Sequence, residues 1–109
     1  MKQVNIFFSE NSDLSEYESI NKGYRIDVFV EINNKVYNVH IYTLIRLQQD
    51  FETEFETEGF YLTEPNIVLV KNSNRAEIVN TINNLYVNNY FLNIKPVNDI
   101  DISTLIRIQ

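Results

Sequence analysis

The clearest pattern in the chain is a pair of alternating runs around Asn33-Asn34. Tyr24, Ile26, Val28, Val30 and Ile32 alternate with Arg25, Asp27, Phe29 and Glu31, the period of a strand with one buried face. The two asparagines tolerate the positive φ angles of a two-residue turn. Beyond them Lys35, Tyr37, Val39, Ile41 and Thr43 alternate with Val36, Asn38, His40, Tyr42 and Leu44. A two-residue loop sets Ile32 against Lys35, Val30 against Tyr37, Val28 against Val39 and Ile26 against Ile41. Apolar side chains then meet on one face, and a β-hairpin is predicted.

Ile67-Val-Leu-Val70 is a continuous, β-branched run that predicts a buried strand over 66–71. Asn74, with Glu77 three residues on, opens a helix. Ile78, Val79, Ile82, Leu85 and Tyr86 share one face of that helix, and Asn88-Asn89 ends it. Tyr90 to Lys95 reads as another strand, closed by Pro96. Val4, Ile6 and Phe8 predict an edge strand, and Ser9 to Lys22 a loop with one turn of helix. Ile100, Ile102, Ile106 and Ile108 keep strand alternation, although Leu105-Ile106 also suits a short helix. Leu44, Leu47 and Phe51 have helical spacing and place a further helix over Thr43 to about Phe51. The expected fold is α+β: one domain over 1–109, an antiparallel sheet with one long and one short helix packed on one face.

Composition narrows the function. A chain of 109 residues, 44% hydrophobic and 13% aromatic, is built for one folded core. A net charge of -6 argues against direct nucleic-acid binding and against anionic membrane surfaces. The absence of cysteine excludes disulfides and thiolate zinc sites. Neither a signal peptide nor a membrane-spanning run is read, so a cytoplasmic location is the expectation.

The charge is concentrated. Between Arg46 and Lys71 lie Asp50, Glu52, Glu54, Glu56, Glu58 and Glu64, without one Lys or Arg. The remainder of the chain holds nine acids and nine bases and is neutral. As a strand, the tract sets Phe51, Thr53, Phe55 and Thr57 on one face and the glutamates on the other. As a helix, it stacks Phe51 on Phe55 at i, i+4. In both cases aromatics anchor the segment while carboxylates project, and Phe60 and Tyr61 add anchors of the interface type. Asp50, Glu52, Glu54, Glu56, Glu58, Tyr61 and Glu64 are therefore the candidate partner-binding residues. A merely solvated acidic loop is the plain alternative.

Other chemistry finds little support. The acids recur every second residue like the first ligands of an EF-hand, but Phe55 stands where that loop needs Gly and Tyr61 where it needs Glu. No metal or cofactor is expected. His40 faces Asp27 across the hairpin in the deduced register. Without a cysteine or a nucleophile elbow, the pair reads as a cross-strand polar contact and not a catalytic one. With Gly23 and Gly59 the only glycines, no phosphate-cradling loop forms, and no catalytic residue is expected.

The order of features resembles a known group. An acidic N-terminal segment leads into Tyr24-Arg-Ile-Asp-Val-Phe-Val-Glu-Ile32. A strand then runs into a Thr-started helix, Tyr37-Asn-Val-His-Ile-Tyr-Thr-Leu-Ile-Arg-Leu47. Finally Ile67-Val-Leu-Val70 feeds Glu77-Ile-Val-Asn-Thr-Ile82. This resembles the small immunity proteins encoded beside bacterial polymorphic and contact-dependent growth-inhibition toxins, most nearly the immunity protein 8 type. Members often carry Gly in the hairpin turn and Pro and Trp after the second strand, where this chain has Asn33-Asn34 and Leu44-Ile-Arg46. The resemblance implies a non-catalytic, cytoplasmic protein that binds the toxin domain of its cognate effector, often a nuclease with a basic cleft; a monomer is expected ahead of a dimer. A small acidic secretion chaperone or adaptor is the alternative.

Overall fold

The computed structural model describes residues 4–109. Its strands are β1 (Asn5–Phe8), β2 (Tyr24–Ile32), β3 (Lys35–Thr43), β4 (Ile67–Val70) and β5 (Ile106–Arg107). Its helices are α1 (Asp13–Lys22), α2 (Leu44–Glu58) and α3 (Arg75–Val87). One sheet runs in the order β4-β3-β2-β1-β5, antiparallel throughout except between β3 and β4. The class is α+β, as expected.

The β2–β3 hairpin turns on Asn33 (φ 52) and Asn34 (φ 65), the left-handed pair that matches strand twist. Ile32 pairs with Lys35, Val30 with Tyr37 and Val28 with Val39, as the alternation dictates. The far end departs from it. A register shift between Arg25 and Val28 sets Arg25, not Ile26, against Ile41, and Tyr24 against Tyr42. Ile26 is consequently exposed, while Arg25 is turned inward with 5% of its surface accessible. Its guanidinium lies 3.9 Å over the Phe8 ring. Nε donates to Asp27 Oδ1 at 2.9 Å, and Nη2 donates to the Glu10 carbonyl. A buried cation is tolerated only with such partners. The bulge supplies Asp27, β1 the Phe8 ring and the loop after it the Glu10 carbonyl, while Nη1 is left without a hydrogen-bond partner among the described residues.

Ile6, Phe8, Val28, Val30, Val39 and Ile41 of the sheet and Ile78 and Ile82 of α3 form the core. Burying each such side chain contributes about 1.5–3 kcal/mol. Asn74 caps α3, its side chain accepting the Glu77 N–H at 2.8 Å. β1 is interior and not an edge, because the C-terminal segment closes over it: the N–H of Ile6 donates to the Gln109 carbonyl and that of Ile108 to the Ile6 carbonyl. The alternating isoleucines before it resolve into a single 3-10 turn, Ile102–Thr104, and the two-residue β5. β4 takes the other edge and is half-buried, with Leu69 exposed, where a buried strand was expected.

Two further expectations are corrected. Tyr90 to Lys95 is not a strand: Asn89 adopts φ 62, the chain turns into a 3-10 helix at Tyr90–Leu92, and Phe91 packs 5.3 Å from Tyr37. Ser9 to Lys22 holds a full three-turn helix. Ser12 and Ser15 cap α1 reciprocally at 3.0 Å, and Gly23 (φ 74) ends it. Polar bonds dock α1. Ser19 and Ser73 each donate a hydroxyl to the other's carbonyl, at 2.8 and 2.7 Å. The Glu16 carboxylate accepts the first N–H of α3, from Arg75, where the helix dipole favours an anion.

Candidate functional site

The acidic tract is helical, and the reason is visible at both of its ends. Thr43 is the N-cap of α2, its Oγ1 accepting the Arg46 N–H at 3.4 Å. The Thr43 N–H and hydroxyl also donate to the Gly23 carbonyl, which locks the start of α2 to the end of α1. Gly59 (φ 81) ends α2, with its N–H on the Phe55 carbonyl at 2.9 Å. The helix therefore runs well past Phe51, to Glu58.

Only its first two turns are docked. Arg46 lies 4.5 Å over the Tyr24 ring, Tyr24 stacks on Tyr42 at 5.6 Å, and Arg46 Nε donates to Asp50 Oδ1 at 3.2 Å. Tyr42 alternates with Ile41, so this contact is on the sheet face opposite the core. Arg46, Leu47 and Asp50 are half-buried, whereas every residue from Phe51 to Phe60 is exposed. No residue of α2 is buried.

Helical geometry divides the carboxylates into two rows. At 3.6 residues per turn, Asp50, Glu54 and Glu58 flank one side of a stripe formed by Leu44, Phe51 and Phe55. Gln48, Glu52 and Glu56 flank the other. Phe51 and Phe55 meet at a tilt with centroids 5.6 Å apart, and the chain after Gly59 brings Tyr61 edge-on to Phe51 at 6.4 Å. The stripe stays open to solvent: Phe51 is 45% and Phe55 53% accessible, and the neighbouring Phe60 and Leu62 reach 61% and 84%.

The seven expected residues fall accordingly. Asp50 pairs with Arg46, and Glu52 accepts from Gln48 at 3.3 Å. Glu54, Glu56 and Glu58 have no side-chain hydrogen bond or ion pair among the described residues. Tyr61 lies edge-on to Phe51, and Asp50, Glu54 and Glu64 are the carboxylates whose charge bears on its phenol. Burial chiefly, then these charges, raise its pKa. Tyr42 is raised by burial first and next by Asp50. Glu52 and Glu56 lie on the opposite flank of the stripe.

His40 and Asp27 do not form the expected cross-strand pair. The bulge turns Asp27 to Arg25 and Ser9, whose hydroxyl donates to Oδ2 at 2.6 Å. His40 lies instead within the field of Glu64. Burial lowers its pKa, with Glu64 opposing. Among the described residues no group of three His, Asp or Glu side chains is arranged to hold a metal, because alternate acids on a helix point apart. No helix among them is long and apolar enough to cross a membrane.

Phe51, Phe55 and Phe60 were expected to anchor the tract, but all three are exposed, and sequence reasoning missed the open apolar stripe. Its signal was the i, i+7, i+11 spacing of Leu44, Phe51 and Phe55 in a segment so acidic that its neighbours could not cover it. No protein-family model, curated protein or solved structure matches the chain.

Proposed function

We propose that the chain is a binding protein of the immunity type, which neutralises a basic toxin domain by covering it with α2. The observation that carries this reading is that five of the six acids behind the charge excess of the molecule lie on α2, a helix with no buried residue. A row of carboxylates costs self-repulsion, and that cost suits a surface made to meet a cation-rich partner. Binding of this kind needs no catalytic residue, and the toxin cleft that normally receives nucleic acid is a fitting target. The action would take place in the cytoplasm, before the toxin reaches its substrate. Asp50, Glu54, Tyr61 and Glu64 form the centre of the contact, with Glu52, Glu56 and Glu58 at its margins.

A small secretion chaperone is the second reading, favoured by the exposed Leu14 and Tyr17 of α1. Pull-down with tagged wild-type chain beside a Glu52/Glu54/Glu56/Glu58→Lys variant tests the proposal. Retention by the wild type alone of a large effector with a basic C-terminal domain, followed by loss of that domain's toxicity on mixing, is expected. Capture of the effector without loss of toxicity would favour the chaperone. Equal capture by both proteins would move the contact away from α2.

A further inference from the structure

The acids alone do not account for the shape of this surface. Leu44, Phe51 and Phe55 are spread over about 17 Å at 1.5 Å per residue, with Gln48 in the turn between Leu44 and Phe51 and carboxylates on both sides. Beyond Gly59, Phe60 and Leu62 are also exposed. Charge complementarity alone makes no use of two exposed phenylalanines held in tilted ring contact. An amphipathic helix laid alongside α2 uses both features.

Three occupants can be compared. Within the chain, no described segment reaches the stripe except the Tyr61 ring at its edge. A second copy would set Asp50, Glu52, Glu54, Glu56 and Glu58 against the same five carboxylates. The only base within α2, Arg46, is already held by Asp50. Like charges at such spacing repel, so self-pairing through α2 is disfavoured. The charge pattern accepts an occupant with apolar residues at i, i+3/i+4 and i+7 and Lys or Arg on both flanks.

We infer that α2 recognises a basic amphipathic helix in its partner, with the Leu44–Phe51–Phe55 stripe as anchor and the two carboxylate rows as the selector for Lys and Arg. This rests on the reading of α2 as the partner-binding surface and names the element that it binds. The rows exclude acidic helices, and the stripe excludes basic segments that lack an apolar face.

The test uses the intact chain and three labelled peptides of about 18 residues, long enough to hold a helix. One is a Leu/Lys amphipathic helix, one a scramble of it that destroys the apolar face, and one a Leu/Glu amphipathic helix. Fluorescence anisotropy should show the first binding at least about tenfold more tightly than the other two, a difference of 1.4 kcal/mol. Phe55→Ser should remove most of that preference, and so, separately, should Glu54→Gln with Glu58→Gln. Phe55 is half exposed, so the Ser variant should keep the fold. If it does not, the glutamine variant, which alters only surface groups, still decides the outcome.

Equal binding of the scramble would reduce the surface to a charge patch and overturn the inference. Equal binding of the Leu/Glu helix would do the same by removing the rows as selectors, and dimerisation of the chain through α2 would replace the occupant. Effector capture in the pull-down is read independently. Acid-dependent capture with no preference among the peptides would leave the proposed function standing and this inference fallen. Peptide preference without any toxin captured would do the reverse.

Discussion

At the scale of single residues, the molecule turns on positions where one side chain settles two elements at once. Gly23 is the plainest. It ends α1 in the left-handed region, and its carbonyl receives both the Thr43 N–H at 2.8 Å and the Thr43 hydroxyl at 3.2 Å. A Cβ at Gly23 would stand 2.7 Å from Thr43 Oγ1 and 3.2 Å from Arg46 Cβ, whereas one at Gly59 would meet nothing within 4 Å. Both positions have φ above 70° and share the conformational penalty, but only Gly23→Ala adds a clash. Gly59→Ala is expected to cost about 1 kcal/mol and Gly23→Ala about 2–3 kcal/mol, read as the difference in denaturant midpoints. Equal costs would mean that the contact with Thr43 relaxes freely. His40 carries a pH prediction. Burial lowers its folded pKa beneath the ordinary 6.5, so the unfolded chain binds the proton more readily. Its contribution is then neutral above pH 6.5 and destabilising as pH falls from there through the lowered folded value. Unfolding measured across that interval should show a stability loss on acidification that is shallower in His40→Gln. An unchanged slope would place the titration on other groups.

Among elements, α2 is the one whose local energetics work against it. Its last turn contains no base, and Glu54, Glu56 and Glu58 sit where the helix dipole is negative. The pairs Asp50/Glu54, Glu52/Glu56 and Glu54/Glu58 repel at i, i+4. Replacing Glu58 with Lys reverses both effects and should stabilise the protein by about 0.3–1 kcal/mol, while weakening partner binding. A Glu58→Lys chain that is less stable, measured by thermal unfolding, would show that this carboxylate has a structural partner after all. The same helix shows what the sequence could and could not disclose. The β2–β3 turn and α3 were legible, because Asn33-Asn34 and Asn74 with Glu77 coincide with clean periods of 2 and 3.6. The tract from Asp50 to Glu58 was legible in content but not in conformation, since Glu alternating with Phe and Thr satisfies a strand as well. The Thr43 cap and Gly59 decide it. α1 was hidden because its dock is polar: Ser19 to Ser73 and Glu16 to the Arg75 N–H leave no apolar period to read. The bulge at Arg25 was hidden because the exchange of Arg25 for Ile26 depends on Phe8, distant in sequence, lying beneath the guanidinium. Tyr90 to Lys95 has the composition of a strand, and the left-handed Asn89 redirects it.

For the whole molecule, the charge map and the stability map are offset from one another. The core lies between the sheet and α3, and the part of the chain outside the tract is electrically neutral. Most of the net charge of -6 therefore sits on α2, with its five acids and one base. That helix is docked only through its first two turns, on the sheet face opposite the core. Carboxylates one turn apart are closer than the Debye length of about 10 Å in ~0.1 M salt, and exposed charges at this range are screened as salt is added. Raising NaCl from ~0.02 to ~0.2 M should accordingly raise the melting temperature of the wild-type chain by a few degrees, since about 1 kcal/mol corresponds to roughly 4–8 °C in a domain of this size. In a Glu52/Glu54/Glu56/Glu58→Gln variant the repulsion is gone, and the same salt step should leave the melting temperature nearly flat. A variant that keeps the wild-type salt response would locate the repulsion among the dispersed charges instead. A flat variant would show that the protein retains a row of mutually repelling carboxylates at a measurable expense in stability. Attraction to a cationic partner gives that expense a physical purpose, because neutralisation on binding would release the strain that the free helix carries.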